Sequence, residues 1–251
     1  MGRLGNQLFQ YSFAQWLHDR TGLPSRFDLS MVGRAGLTGP RVLQDAMWES
    51  RVRGSSLMPV PQGRLDPLAR LLRIGRRPRD LTVDLSARGD VPVVRTTGSW
   101  YLGYWQRVEY AVAARDELRD MFALSNGQRD PVVRVHVRRG DYVALGQSAD
   151  DTWFQRAVAT ALEAGGPDLV EVVSDDPGWC VGTLTLPVPF SVINGGSVLS
   201  DFESLARAEV LVATGSTFSW WAAFLGGPKI VHGPQVLPPA LWSPMDALLV
   251  P

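Results

Sequence analysis

From residue 131 to residue 233 the chain repeats one pattern: a short β-branched run, a polar turn, a helical stretch, then another β-branched run. No other feature limits the possible folds as strongly. PVVRVHV (131–137), LVEVVS (169–174), VPFSVI (188–193), EVLVAT (209–214) and KIVHG (229–233) read as strands. TWFQRAVATALEA (152–164) sets Phe154, Val158 and Leu162 at helical spacing and stops at Gly165-Gly166. VLSDFESLARA (198–208) reads as a helix with Ser200 or Asp201 as N-cap, and TFSWWAAFL (217–225) as another. Strands joined through helices lie parallel, because hairpins need only a tight turn. The expectation is an α/β fold with a doubly wound parallel sheet.

The first 130 residues are less regular. NQLFQYSFAQWLHDRTG (6–22) reads as an amphipathic helix with Phe9, Phe13, Trp16 and Leu17 on one side, ended by Gly22. Residues 107–124 read as a second helix, with Val108, Val112, Leu118 and Phe122 as its apolar stripe. An insert over about 30–95 is rich in Pro, Gly and Arg. Within it, RLDPLARLLRIGRRPRD (64–80) carries six arginines, either a solvated helix face or a basic surface for a membrane or anionic glycan carrier. Two domains are expected, 1–125 and 126–251.

Composition excludes several classes. Lys plus Arg and Asp plus Glu both total 25, which gives no global argument for nucleic acid. Cys180 is the only cysteine, so an internal disulfide and a cysteine metal cluster are both impossible. No apolar run reaches the roughly 18–20 residues that span a bilayer. MGRLGNQLFQ lacks the apolar core of a signal peptide, and a cytoplasmic location, peripheral to the membrane's inner face, is the expectation. The nine tryptophans read as core rather than as sugar platforms.

Three polar motifs follow strands, and strand C-termini of an open parallel sheet border its ligand crevice. HVRRGDY (136–142) offers His136, two arginines and Asp141. Consecutive strand residues point to opposite faces, so one arginine is expected to meet a ligand while the other anchors the site. Arg138 and Arg139 match phosphate geometry, and Asp141 is expected to hold one of them. SDDPGW (174–179) offers Asp175 and Asp176, which fit either a divalent cation or the N1–H and N2–H₂ edge of guanine. The guanine reading is preferred, because arginines can neutralise a diphosphate without a metal. GSTFSWW (215–221) opens a helix with Ser216, Thr217, Phe218 and Ser219, which offers backbone N–H groups to an anion or simply caps the helix. At the N-terminus Gly5 permits close backbone approach, and Asn6 caps a helix or bonds a ligand. Asp151 is either an acceptor base or a helix cap.

In combination these segments resemble the α-1,2-fucosyltransferases of bacteria and animals. The resemblance rests on GRLGNQLFQYSFA (2–14), GYWQ (103–106), HVRRGDY, SDDPGW and STFSWWAAFL (216–225). It implies a GT-B-like architecture of two Rossmann-like halves, with GDP-fucose as donor, no cofactor and no metal, and inversion at the fucose anomeric carbon. The implied acceptor is a galactose-terminated oligosaccharide or lipid-linked glycan. The resemblance further implies that Arg138 grips the β-phosphate and that His136 with Asp175 or Asp176 meets guanine. It places Ser216, Thr217 and Ser219 on the phosphate side and Asn6 near the reacting centre. Relatives carry an apolar strand before the glycine-rich loop, so the expectation is either a misassigned start or an N-terminal half that lacks its first strand. Gly215 stands where relatives often have Asn. Competing readings are another nucleotide sugar or linkage, a non-catalytic nucleotide- or glycan-binding protein, and a metal-dependent transferase.

Overall fold

The computed structural model describes residues 4–22, 26–27, 58–59, 81–84, 100–193, 196–233, 237, 239–242, 245 and 247–250. Most of the 30–95 insert, the basic stretch 64–80 and Gly2-Arg3 lie outside them. The chain divides into two compact units, Met1–Arg115 and Asp116–Pro251. This boundary falls before the expected 125/126. The reason is local: segment 116–129 is bound to the second unit. Arg119 donates to the Leu225 carbonyl, Arg129 donates to the Ala208, Gly226 and Gly227 carbonyls, and Phe122 packs on Phe202.

In the first unit, α1 (Leu4–Thr21) ends at Gly22, whose φ of 66° suits a residue without a Cβ. Two short parallel pairs follow: β1 (Arg26–Phe27) with β2 (Met58–Pro59), and β3 (Leu81–Asp84) with β4 (Trp100–Gly103). Phe13, Trp16, Leu17, Trp105 and Tyr110 form an aromatic core. The helix expected over 107–124 is two: α2 (Val108–Ala113) and α3 (Arg115–Met121), broken at Ala114.

The second unit is built on one parallel sheet. Its strands are β5 (Asp130–Val137), β6 (Val170–Ser174), β7 (Ser191–Ile193), β8 (Ala208–Ala213), β9 (Lys229–His232) and β10 (Ala247–Leu249). They lie in the order β10-β9-β8-β5-β6-β7, every neighbouring pair parallel. The chain runs outward from β5 through β7, returns across the sheet, and runs outward again from β8. This is the doubly wound Rossmann order, with its switch point between β5 and β8. The α/β expectation is met, and β10, unread in the sequence, completes the sixth position.

Covering both faces of a parallel sheet makes its strands nearly continuous apolar runs, and Val132, Val133, Val135 and Val137 are all buried. Arg134 and His136 are the buried polar exceptions in β5. The Arg134 guanidinium, at 8% exposure, donates to Asp130 (2.7 Å), Glu171 (3.0 Å) and the Ser204 carbonyl (2.5 Å).

The helices of this unit are α4 (Gly140–Ala144), α5 (Asp151–Glu163), α6 (Pro177–Gly182), α7 (Val198–Arg207) and α8 (Thr217–Gly226). The cap of α7 is Ser197, not Ser200 or Asp201: its hydroxyl accepts from Ser200 N, while the Ser200 hydroxyl accepts from Ser197 N. Gly226 lets α8 pack against the end of α7, since an added Cβ would sit 2.0 Å from the Ala206 carbonyl oxygen. Trp16, Trp105, Trp153, Trp220, Trp221 and Trp242 are buried, so most of the tryptophans are core.

Candidate functional site

The switch point and the adjoining end of β6 gather His136, Arg138, Arg139, Asp141, Asp175, Asp176 and the turn 216–219. β5 ends at Val137 beside Ser174 of β6, while Val135 pairs with Val212 of β8. His136 crosses the gap between β5 and β8. Its Nδ1 lies 3.2 Å from Thr214 Oγ1 and 3.5 Å from Ser216 Oγ, and its ring is 5.4 Å from that of Phe218. Burial, and next the neighbouring Arg138 cation, push the imidazole down to about 4, against an opposing pull from Asp175. His136 is therefore neutral at physiological pH and contributes hydrogen bonds rather than charge.

Both arginines lean toward the end of β6, which corrects the expectation that they would diverge. The strand stops at Val137, and Arg139 (φ −119°, ψ −76°) already caps α4, so strand alternation no longer governs them. The Arg138 guanidinium is held by Asp175 and Asp141, and sits 5.3 Å above the Tyr142 ring. Arg139 donates its backbone N–H to Asp175 (2.9 Å) and its Nε–H to Asp176 (3.3 Å), with its guanidinium 3.8 Å over Trp179. Asp176 also caps α6 by accepting from Trp179 N at 3.1 Å. Thus Asp141 holds an arginine as expected. Asp175 and Asp176, read as guanine contacts, hold the arginine pair. Gly140 permits this closeness: a Cβ there would lie 2.6 Å from Asp175 Oδ2.

Across the switch point, α8 starts at Thr217. Ser216 Oγ accepts from Ser219 N at 3.3 Å, and the Ser219 hydroxyl donates to the Thr214 carbonyl at 2.7 Å. Ser219 is fully buried, which corrects its assignment as a phosphate contact: it closes the turn. Ser216 is also buried and turned toward His136. What the turn offers a ligand is backbone, because helix geometry leaves Thr217 N–H and Phe218 N–H without intrahelical acceptors.

Asp151, read as either an acceptor base or a helix cap, bonds to Thr185 and Gln155. One carboxylate oxygen accepts from Thr185 N (2.8 Å), and the other accepts from Thr185 Oγ1 (2.5 Å) and Gln155 Nε2 (2.9 Å). The helix cap is Asp150, which accepts from Trp153 N at 2.7 Å. In the first unit, Gly5 is buried and Asn6 Oδ1 accepts from Gln106 Nε2 at 3.0 Å. Thr214, Trp179 and Gln106 went unread as site residues. The signal for Thr214 was its place as the last residue before the glycine turn. Trp179 lies three residues beyond an aspartate that caps its helix. Among the described residues no group of three or more His, Cys, Asp or Glu could hold a metal ion.

Residues 90–235 match the model of glycosyl transferase family 11. The chain belongs to that family. The motif-based resemblance is thereby met, with GYWQ, HVRRGDY, SDDPGW and STFSWW all inside the matched region. A galactoside 2-alpha-L-fucosyltransferase SEC1 of Bos taurus is 35% identical over 43% of this chain and 32% of its own length. Galactoside alpha-(1,2)-fucosyltransferase 2 of Oryctolagus cuniculus is 27% identical over 92% of this chain and 67% of its own. An alpha-1,2-colitosyltransferase of Escherichia coli is 26% identical over 50% of each. The chain thus spans from about a third to about two thirds of these relatives. Among solved structures, POFUT1 in complex with GDP gives a TM-score of 0.44 at 12% identity, over 92% of this chain and 96% of that one. A glycosyl transferase family 9 protein of Veillonella parvula gives 0.47 at 11%, over 99% and 84%. The strand order of the sheet itself establishes the doubly wound fold.

Proposed function

We propose that this protein is an inverting α-1,2-fucosyltransferase that moves L-fucose from GDP-fucose to the 2-hydroxyl of a galactose residue without a metal. One observation carries the reading. His136, bonded to Thr214 and Ser216, ties the Arg138 loop to the start of α8 across the sheet's switch point. Family membership and relatives named for α-1,2-fucosyl transfer support the sugar and the linkage.

In this mechanism the galactose hydroxyl attacks the anomeric carbon and gives up its proton to solvent, as the C1–O bond breaks and GDP leaves from the opposite face with the bonding electron pair. Negative charge grows on the departing oxygen. Arg138, with the N–H groups of Thr217 and Phe218, stabilises that charge more in the transition state than in the ground state. Arg138 retains N–H groups beyond those given to its carboxylates, since a guanidinium carries five. Asp141 and Asp175 hold it in orientation and Arg139 anchors the loop. The acceptor is a galactose-terminated oligosaccharide or lipid-linked glycan, and the enzyme works in the cytoplasm, peripherally on the inner face of the membrane.

The test incubates the protein with GDP-fucose or GDP-mannose and a galactoside panel, with and without chelator, and follows GDP release and product linkage. Expected are fucose-dependent release, an α-1,2 product and no chelator effect. Arg138→Lys keeps the charge but loses the fork, and should lower kcat by about 10²–10³, or about 3–4 kcal/mol. Wild-type turnover by that variant would refute the phosphate assignment. The colitosyl relative favours a second reading, transfer of another sugar, which turnover with a different donor alone would establish.

A further inference from the structure

Two hydroxyls meet one ring nitrogen of His136, and the proton of each can be traced. Nδ1 lies 3.2 Å from Thr214 Oγ1 and 3.5 Å from Ser216 Oγ. A neutral imidazole carries one proton, on Nδ1 or on Nε2, and its hydrogen-bond partners select which. Ser219 donates its hydroxyl proton to the Thr214 carbonyl, which is nearer at 2.7 Å than the Ser216 carbonyl at 3.2 Å. The 3.0 Å contact between the Ser216 and Ser219 hydroxyls must then use the proton of Ser216. Ser216 therefore turns only a lone pair toward the imidazole. Thr214 differs. Among the described residues its hydroxyl has one hydrogen-bond partner, His136 Nδ1, and the residue is 6% exposed. If Thr214 accepted from Nδ1–H, its own proton would stay buried without an acceptor, an arrangement that folded proteins avoid. Thr214 therefore donates, Nδ1 accepts, and the ring proton sits on Nε2.

That Nε2–H has no hydrogen-bond partner among the described residues, although His136 is only 5% exposed. A buried donor left open is uncommon. This one stands at the switch point of an open parallel sheet, where such folds take their ligands. We propose that Thr214 is a positioning residue, which fixes His136 as the Nε2–H tautomer so that the ring donates to an acceptor oxygen of the bound nucleotide. The threonine hydroxyl thus decides whether this edge of the site presents a donor or a lone pair. The inference rests on the reading in which a GDP-sugar occupies the switch point.

Long-range proton–nitrogen correlation NMR of isotope-labelled protein near neutral pH reads the tautomer directly, with the His136 signals assigned as those absent from His136→Gln. Wild type without ligand should show its proton on Nε2. Thr214→Val keeps the side-chain shape but removes the hydroxyl, so that Nδ1–H can donate to Ser216 Oγ and the Nδ1–H form should appear. Thr214→Ser restores the hydroxyl and should restore the wild-type pattern. Calorimetry with GDP supplies the second readout. The Kd of Thr214→Val should rise by the reciprocal of the Nε2–H fraction that remains, about 3–10-fold, while Thr214→Ser binds as wild type does. A wild-type proton on Nδ1, a Thr214→Val ring that stays wholly Nε2–H, or a shifted tautomer with unchanged Kd would each overturn the inference. A wild type that binds no GDP removes the nucleotide reading and, with it, the ligand named here. A wild type that binds GDP with its ring proton on Nδ1 removes the inference alone.

Discussion

Acidification below neutral pH should destabilise this protein through His136. The imidazole is buried, and its affinity for a proton falls from the ordinary 6.5 to about 4, first because of burial and then because of Arg138. Between those two values the unfolded chain binds a proton on this residue and the folded chain does not. Stability therefore rises with pH across the window; the contribution is complete above about 6.5 and is lost as pH falls toward about 4. A displacement of this size corresponds to about 3 kcal/mol in full, of which about 2 kcal/mol disappears between pH 7 and pH 5. His136→Gln removes the titration and retains a polar side chain. Urea unfolding of wild type and variant at pH 7 and pH 5 isolates the effect. His232, which burial also shifts downward, contributes equally to both proteins and cancels. The wild type should lose about 2 kcal/mol more than the variant over this interval. Equal losses, or an NMR titration of the His136 ring with a midpoint near 6.5, would show that the imidazole is not held neutral across the switch point.

Three further substitutions test other parts of the account. Arg134→Met should lower stability by about 2–3 kcal/mol in urea unfolding, because Asp130 and Glu171 lose a charged partner inside the sheet. Gly226→Ala should lower it by about 1–3 kcal/mol, since the new methyl meets backbone at Ala206, which cannot rotate away. Asp151→Asn should cost about 1 kcal/mol by loosening Thr185 while leaving kcat for fucose transfer unchanged; a kcat loss of about 10² or more would restore Asp151 as an acceptor base.

The second unit's architecture was readable because parallel strands are apolar on both faces and stand out as β-branched runs. β10 was not, since ALL (247–249) is a strand only by virtue of its pairing with β9. Helix α6 was hidden behind Pro177-Gly178, which reads as a turn until Asp176 is seen to cap it and Pro177 to occupy its first position. At the site, the residue types and their edge of the sheet were legible, and their partners were not. Alternation along a strand predicts diverging arginines only while the strand continues, and it ends one residue too soon. Hydroxyls before a helix look like ligand contacts in sequence, yet burial commits Ser219 to the Thr214 carbonyl.

The partners change what the site can use to recognise an anion. Two adjacent guanidiniums would repel each other, but Arg138 is shared between Asp141 and Asp175, and Arg139 lies against Asp176. In the proposed reaction the donors offered to the diphosphate are the remaining N–H groups of Arg138 and the first N–H groups of α8. The carboxylates that cancel the field also fix the guanidinium orientations. Such fixed donors need little rearrangement when charge develops on the leaving oxygen, and this is the condition under which hydrogen bonds accelerate a reaction rather than only hold its substrate.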